Sequence, residues 1–456
     1  MKVIELAAHL WYTGSRAHPP YFTLGETWAS RTDVCQEQRQ LRTLSLFDRK
    51  LPVWKIFLIV FLLLILARFW SVGMTKVLSN SNSSDGDESA YLALGLDLRE
   101  EGVLTDGTRL PLYPALLALF AKREWDYFTW AKIITLGLGA LAILATFLAG
   151  RGMFSWETGS LSAFLLAANK EFHLRASTVY ADTLMVTTFL GAWYFLIKSF
   201  EKRRYLYLAG LFVGLAYLTK GSAPLLLGVW GVVALLHYRR EISAHKELLM
   251  VPLIFLLTTA PLLIYNVKVF GSPFYNFATT HVMWMDRWEE SQVADPADLP
   301  TLSTYLQTHT LADMVNRLQA GSAKLNQVLS VTLTPSRTWR PEWLGSALLV
   351  GTLIILGLFL VFDRQPLLNY YRRHRLTIHF SLILFIGFYF FSAWYAGVLV
   401  ESRFLIPILG PFYLLLADTV IGLLRYIRRW VLSRNDAGPV VLRGVYMGGV
   451  AVVLAW

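Results

Sequence analysis

An all-α, polytopic membrane protein is the fold class that this sequence predicts, and three observations carry the prediction. Apolar residues fill 55% of the 456 positions, the mean hydropathy is +0.46, and the apolar residues run in blocks where a half-buried soluble element would alternate. The Lys and Arg residues behind a net charge of +11 sit in short clusters beside those blocks, as orientation signals do. Aromatic residues reach 14%, with 16 Trp and 21 Tyr, which suits a chain with many membrane interfaces. Clustered positive charge of this kind excludes nucleic acid as a partner. The single cysteine, Cys35, excludes an intrachain disulfide, a cysteine-based zinc site and a paired redox motif.

Residues 1–50 are mixed and polar, without an apolar core before Leu51, and read as a disorder-prone cytoplasmic tail instead of a cleavable signal peptide. Residues 51–456 read as one transmembrane domain of about eleven helices. These are expected near 53–72, 127–149, 157–171, 180–198, 206–218, 222–237, 247–266, 343–362, 376–397, 404–424 and 439–456. Several between 157 and 237 are shorter than the roughly 20 residues a crossing needs, which leaves room for a hairpin there. Every second connection is basic: Lys198 to Arg204, Arg239 to Lys246, Arg364 to Arg375, and Arg425 to Arg434. The positive-inside rule makes those connections cytoplasmic, along with the amino terminus. The opposite, external face then collects a first loop at about 73–126, turns near His173 and Lys220, a long connection at about 267–341 and a turn at 401–403.

Within the first loop, between Asp85 and Leu119, Asp85, Asp87, Glu88, Asp97, Glu100, Glu101 and Asp106 stand against only Arg99 and Arg109, which inverts the charge of the chain as a whole. Tyr91, Leu94 and Leu98, then Leu112, Leu116 and Leu119, recur at helical spacing and predict two interfacial amphipathic helices. The long connection opens with His281, Trp284, Asp286, Arg287 and Trp288. It continues into a helix near 311–331, with Leu311, Val315, Leu318 and Leu325 on one face, in the manner of a lid.

Asp87 and Glu88 suit two readings. Acids at a helix start cap it and complement its dipole. A carboxylate at a membrane surface also suits general-base chemistry. Arg109, held by the rigid Leu110–Pro111–Leu112–Tyr113–Pro114 run, is either a headgroup contact or a bidentate phosphate clamp. Asp182 opens a span and is a site candidate because ionisable groups at that depth are costly, with capping as the alternative. Lys220 and Arg403 are phosphate contacts or, respectively, a snorkelling lysine and half of a local pair with Glu401. Tyr91, His173, His281 and Trp284 are expected near substrate or acceptor. No histidine spacing suggests a metal ligand set, so no metal is assigned.

The pattern Asp-Glu, YLALGLDL, then Arg109-Leu-Pro-Leu-Tyr-Pro resembles the first external loop of the GT-C membrane glycosyltransferases. The resemblance is to the group around dolichyl-phosphate-mannose protein mannosyltransferases and lipid A aminoarabinose transferases. It extends through VYADTLMVTTFLGAWYFL, LAGLFVGLAYLTKGSAPLLL, YNVKVFGSPFYNF and VESRFLIPILGPFYLLLA, over roughly residues 53–425. It implies inverting transfer of one sugar from a polyprenyl-phosphate donor to an acceptor lipid, protein or glycan at the external face of the cell membrane. Asp87 would be the base, Arg109, Lys220 and Arg403 would hold the donor phosphate, and Asp182 would orient the base or a sugar hydroxyl. Some relatives carry a metal-linked glutamate just before the arginine, where this chain has Thr108, so a divalent cofactor is doubtful. A transporter or flippase of a polar lipid is the alternative. Its midplane charges and paired internal repeats are not seen in the sequence.

Overall fold

The computed structural model describes residues 52–80, 86–239, 244–293, 295, 298–333 and 364–432. The tail at 1–50 and the spans expected at 343–362 and 439–456 lie outside those residues. Two units divide at residue 56, and the account below concerns the second, from Phe57 onward. The described residues contain helices and turns and no strand.

In chain order the helices are α1 (Val53–Ser79), α2 (Asp87–Glu100), α3 (Leu112–Ala118), α4 (Asp126–Met153), α5 (Trp156–Ala168), α6 (Lys170–Ala176) and α7 (Asp182–Ser199). They continue with α8 (Tyr205–Tyr217), α9 (Pro224–Tyr238), α10 (Met250–Phe270), α11 (Phe277–Thr280), α12 (Leu302–Thr308), α13 (Leu311–Leu333), α14 (Arg364–Ala396) and α15 (Leu409–Leu432), the last entered through a 3₁₀ segment, Ser402–Ile408. Among the described residues, five segments are long and apolar enough to cross a membrane: Val53–Ser79, Asp126–Met153, Lys246–Phe270, Leu368–Ala396 and Ser402–Arg425. The remaining spans expected on described residues are helical too, but short: α8 and α9 have 13 and 15 residues. The segment expected at 157–171 is divided at Asn169, whose side-chain oxygen accepts from the Phe172 amide at 2.8 Å and so starts a new helix. Its amide nitrogen reaches the Thr332 carbonyl at 2.7 Å and Tyr413 Oη at 2.8 Å.

Three of the apolar clusters among the described residues join the helices around the site. One joins α7, α8, α9, α10 and α14 around Phe189, Trp193, Trp230, Phe255 and Phe388. Another joins α1, α4, α5 and α15 around Phe69, Ile143, Phe164 and Tyr413, with α4 and α5 in backbone contact: a Cβ on Gly150 would lie 2.6 Å from Gly159 Cα. The third fixes the two interfacial helices, packing Tyr91, Tyr113 and Leu117 against Tyr127, Phe128, Ala131, Val179 and Leu184. Tyr113 Oη meets Thr135 Oγ1 at 2.6 Å inside it.

The segment expected as a lid is anchored to the bundle. α13 lies against α14 so closely that a Cβ on Gly321 would be 1.8 Å from the Ala393 carbonyl oxygen. Arg317 donates to the carbonyls of Met285 (2.6 Å) and Met283 (3.0 Å). Its expected apolar face is divided accordingly: Leu325 is buried and Leu318 packs on the core, whereas Leu311 and Val315 are exposed. Replacing Gly321 by Ala forces the two helices apart and is expected to cost roughly 1–3 kcal/mol. Thermal unfolding of the purified protein should show the lower midpoint, with Gly137→Ala, whose Cβ meets nothing within 4 Å, as a control that does not lose stability.

Candidate active site

Asp87, the first residue of α2, is the centre of an alternating row of charges. Its Oδ1 accepts from Arg109 Nη2, and its Oδ2 accepts from Arg403 Nη1 at 2.6 Å. Each arginine is held from its far side by a second carboxylate. Arg109 Nη1 lies 2.7 Å from Asp106 Oδ2, and Arg403 Nε lies 2.7 Å from Glu401 Oε2. The row therefore reads Asp106, Arg109, Asp87, Arg403, Glu401. Aromatic rings floor it, with Arg109 5.6 Å from the Tyr91 centroid and Arg403 5.2 Å from that of Tyr180.

Local sequence explains where Arg109 points. Asp106 Oδ1 accepts the amides of Thr108 (2.8 Å) and Arg109 (2.7 Å), closing an Asx turn. Gly107 takes a φ of +83° that an L side chain rarely adopts. The turn then docks on the turn after α10 and the start of α11, where the Phe277 amide donates to the Gly107 carbonyl (2.7 Å) and Asn276 Nδ2 to the Thr108 carbonyl (2.9 Å). That stretch is held in turn by Asn266, whose Nδ2 donates to the carbonyls of Pro273 and Tyr275, each at 3.1 Å. The Asn-to-Phe-Gly-Ser-Pro motif is thus the mount for the arginine turn.

A second pair sits beside the row. Asp182 opens α7 and is fully buried; its Oδ1 pairs with the Lys220 ammonium, while Oδ2 has no hydrogen-bond partner. One cleft is lined by Asp87, Tyr91, Arg109, Asp182, Lys220 and Arg403, with Asn276 and Thr279 beside them. Its other wall is apolar, formed by Met283, Phe388, Phe391, Tyr395, Phe404 and Pro407.

Four expected residues stand elsewhere. Glu88 is buried, and its Oε1 accepts the Val179 amide at 2.8 Å, tying α2 to the turn before α7. His173 is buried with Nδ1 3.1 Å from Lys76 Nζ, against the edge of Phe69. His281 Nδ1 donates to the Pro300 carbonyl at 3.0 Å. Trp284 packs on Tyr305 and Trp394. Sequence reasoning passed over Asp106 as a site residue, although the Asp-Gly dipeptide is a turn signal, and over Asn276 and Thr279, whose role depends on a fold contact with a turn more than 160 residues earlier. The apolar wall from α14 carried no signal beyond being apolar.

Burial opposes ionisation of Asp87, but hydrogen bonds and charge from Arg403 and Arg109 outweigh it and hold the carboxyl below its ordinary range. Burial likewise opposes the charge on Arg109, which Asp106 and Asp87 more than restore. Tyr91 is pushed up, first by burial and then by Asp182 and Asp87, and stays a neutral phenol.

Residues 110–265, about a third of the chain, match the family described as dolichyl-phosphate-mannose-protein mannosyltransferase. Among solved structures, the ArnT of Cupriavidus metallidurans bound to undecaprenyl phosphate matches with a TM-score of 0.50 at 14% identity, over 86% of this chain and 66% of that one. The oligosaccharyltransferase of Archaeoglobus fulgidus in its apo form matches with a TM-score of 0.52 at 15% identity, over 90% of this chain and 55% of that one. The fold is the one these two solved membrane proteins show. This chain spans about two thirds of the length of the first of those proteins and about half of the second. No curated protein matches the sequence. Both Asp87 oxygens are taken by guanidiniums, and among the described residues no group of three His, Cys, Asp or Glu is placed to hold a metal.

His173 offers a test of the electrostatics outside the cleft. Burial first, then Lys76, lowers its pKa from 6.5 to about 4. Between those values the unfolded chain binds the proton that the folded chain refuses, so this contribution to stability is complete above pH 6.5 and is lost as pH falls towards 4. His173→Gln is expected to flatten the acid limb of the stability profile by on the order of 2–3 kcal/mol, read by unfolding at pH 7 and pH 4.5.

Proposed function

We propose that this protein transfers a single sugar from a polyprenyl-phosphate donor to an acceptor, with inversion at the anomeric carbon, at the external face of the cell membrane. The observation that carries the reading is the cleft itself. One carboxylate, two arginines and a Lys–Asp pair converge there opposite an apolar and aromatic wall, at the ends of helices that include spanning ones. A guanidinium pair matches a phosphate, and the wall suits the isoprenoid that leads to it. The ArnT structure with undecaprenyl phosphate and the mannosyltransferase match over residues 110–265 support the same donor class.

The chemistry follows from the groups present. The acceptor oxygen attacks the anomeric carbon, its proton passes to Asp87, and the bond from that carbon to the phosphate oxygen breaks with its electron pair going to the phosphate. A lipid phosphate leaves as a stable anion, so it needs positive charge more than an acid, and Arg109, Arg403 and Lys220 supply it. The free oxygen of Asp182 accepts a hydrogen bond from a sugar hydroxyl. Acceptor identity is left to chemistry at the cleft mouth, where a lipid, protein or glycan nucleophile can enter. Transport of a polar lipid finds no comparable support, because every charged residue of the cleft stands at a helix end or in a connection.

The direct experiment supplies purified protein with radiolabelled polyprenyl-phosphate sugars and a membrane extract as acceptor source. Label should move from donor to acceptor, and Asp87→Asn should lower kcat by roughly 10²- to 10⁴-fold. Transfer at the parental rate by Asp87→Asn, or none by the parent from any such donor, sinks the assignment. Sidedness has its own check: in a Cys35→Ser background, Glu101→Cys, an exposed residue of the first loop, should react with an impermeant thiol reagent added outside intact cells. Reaction only after the cytoplasmic face is opened reverses the orientation.

A further inference from the structure

Both oxygens of Asp87 are occupied, each by a guanidinium from a different part of the chain: Arg109 is 22 residues away and Arg403 is 316. A base needs a free lone pair facing its substrate, and a carboxylate clamped between two cations is a weak one. The same two arginines are the groups a donor phosphate would engage. One set of cations thus serves two anions, and the two cannot both be fully satisfied at once.

We propose that Arg109 and Arg403 keep Asp87 idle until a phosphate-bearing ligand draws them off, so that donor binding itself frees the base and the acceptor is activated only on a loaded site. The proposal rests on the donor reading above. Its geometry is that of an exchange between equals. A sugar phosphodiester carries one negative charge, as Asp87 does, so the arginines trade one monoanion for another, and the free lipid phosphate, a monoester of about −1.5 to −2 near pH 7, competes for them at least as well. They need not leave the cleft to do so, because Asp106 and Glu401 hold them from behind. Once released, Asp87 faces a phosphate anion without its cations, and its affinity for a proton rises.

The cycle closes on its own chemistry. As the new glycosidic bond forms, Asp87 takes the acceptor proton and the phosphate becomes a monoester with a second ionisable oxygen. The monoester leaves, the arginines return, and Asp87 gives its proton to water. The groups facing Asp87 are the two arginines, Tyr91 from its own helix, Tyr180 from the turn before α7 and Tyr395 from α14, with the charge of Asp182 also acting on Arg403. Of these, only the arginines carry positive charge, so their movement sets the change.

Isotope-edited infrared titration reads the carboxyl directly. Full-length protein in lipid nanodiscs, labelled with [13C]aspartate, is titrated with and without undecaprenyl phosphate, and the Asp87 band is isolated by subtracting Asp87→Asn. The ligand should raise the Asp87 midpoint by about one pH unit or more, a tenfold gain in proton affinity. Arg403→Gln should raise it without ligand and leave little further change on addition. Carbodiimide labelling of Asp87 in the parent, read by mass spectrometry, needs no variant and should increase when the ligand is added. Retention of radiolabelled undecaprenyl phosphate with an unmoved midpoint and unmoved labelling overturns the proposal alone. Failure of the parent to retain it overturns the donor reading and this proposal with it.

Discussion

Two arginines sharing one carboxylate is the interaction on which the arrangement of this protein turns. Asp87, Arg109 and Arg403 come from the start of α2, the turn before α3 and the 3₁₀ entry to α15, and none of the three has a place without the others. Half-buried charges of this kind carry a desolvation cost that only good pairing offsets. Removing one member leaves its neighbours uncompensated, so the row behaves as a unit. Tyr91 and Tyr180 beneath the guanidiniums add apolar contact and a cation–π attraction that water would otherwise compete for.

Much of the surrounding fold serves to hold that row at one depth. The cluster of Tyr91, Tyr113, Tyr127 and Phe128 pins the interfacial helices to the ends of α4 and α7. Glu88 adds a hydrogen bond from α2 to the turn before α7. Asn266 fixes the stretch after α10, and Asn276 from that stretch grips the turn that presents Arg109. Adjacent acids therefore have different duties: Asp87 meets the cleft, and Glu88 serves the backbone behind it.

Much of this was legible in the sequence because the signals were local or periodic. Long apolar blocks with basic borders gave the helical membrane fold, and heptad-like spacing in the first loop gave α2 and α3. Charges at helix ends and in the connections, together with the family resemblance, pointed to Asp87, Arg109, Asp182, Lys220 and Arg403, which do line one cleft. Other features depend on contacts that no local pattern encodes. Asn169 divides an apolar run because it has a capping partner three residues on and two more partners far along the chain. Asp106 looked like one more acid of an acidic loop, and only the folded turn sets it against Arg109. His173, His281 and Trp284 drew notice as polar or amphipathic residues on the right face, but their partners are Lys76, a backbone carbonyl and an aromatic cluster.

A structure of the protein in nanodiscs with undecaprenyl phosphate bound, determined by electron cryomicroscopy, tests the account most directly. The phosphate should lie between Arg109 and Arg403, with Asp106 and Glu401 still behind them and Asp87 turned free towards the cleft. A phosphate bound elsewhere, with both arginine pairs on Asp87 intact, would contradict it.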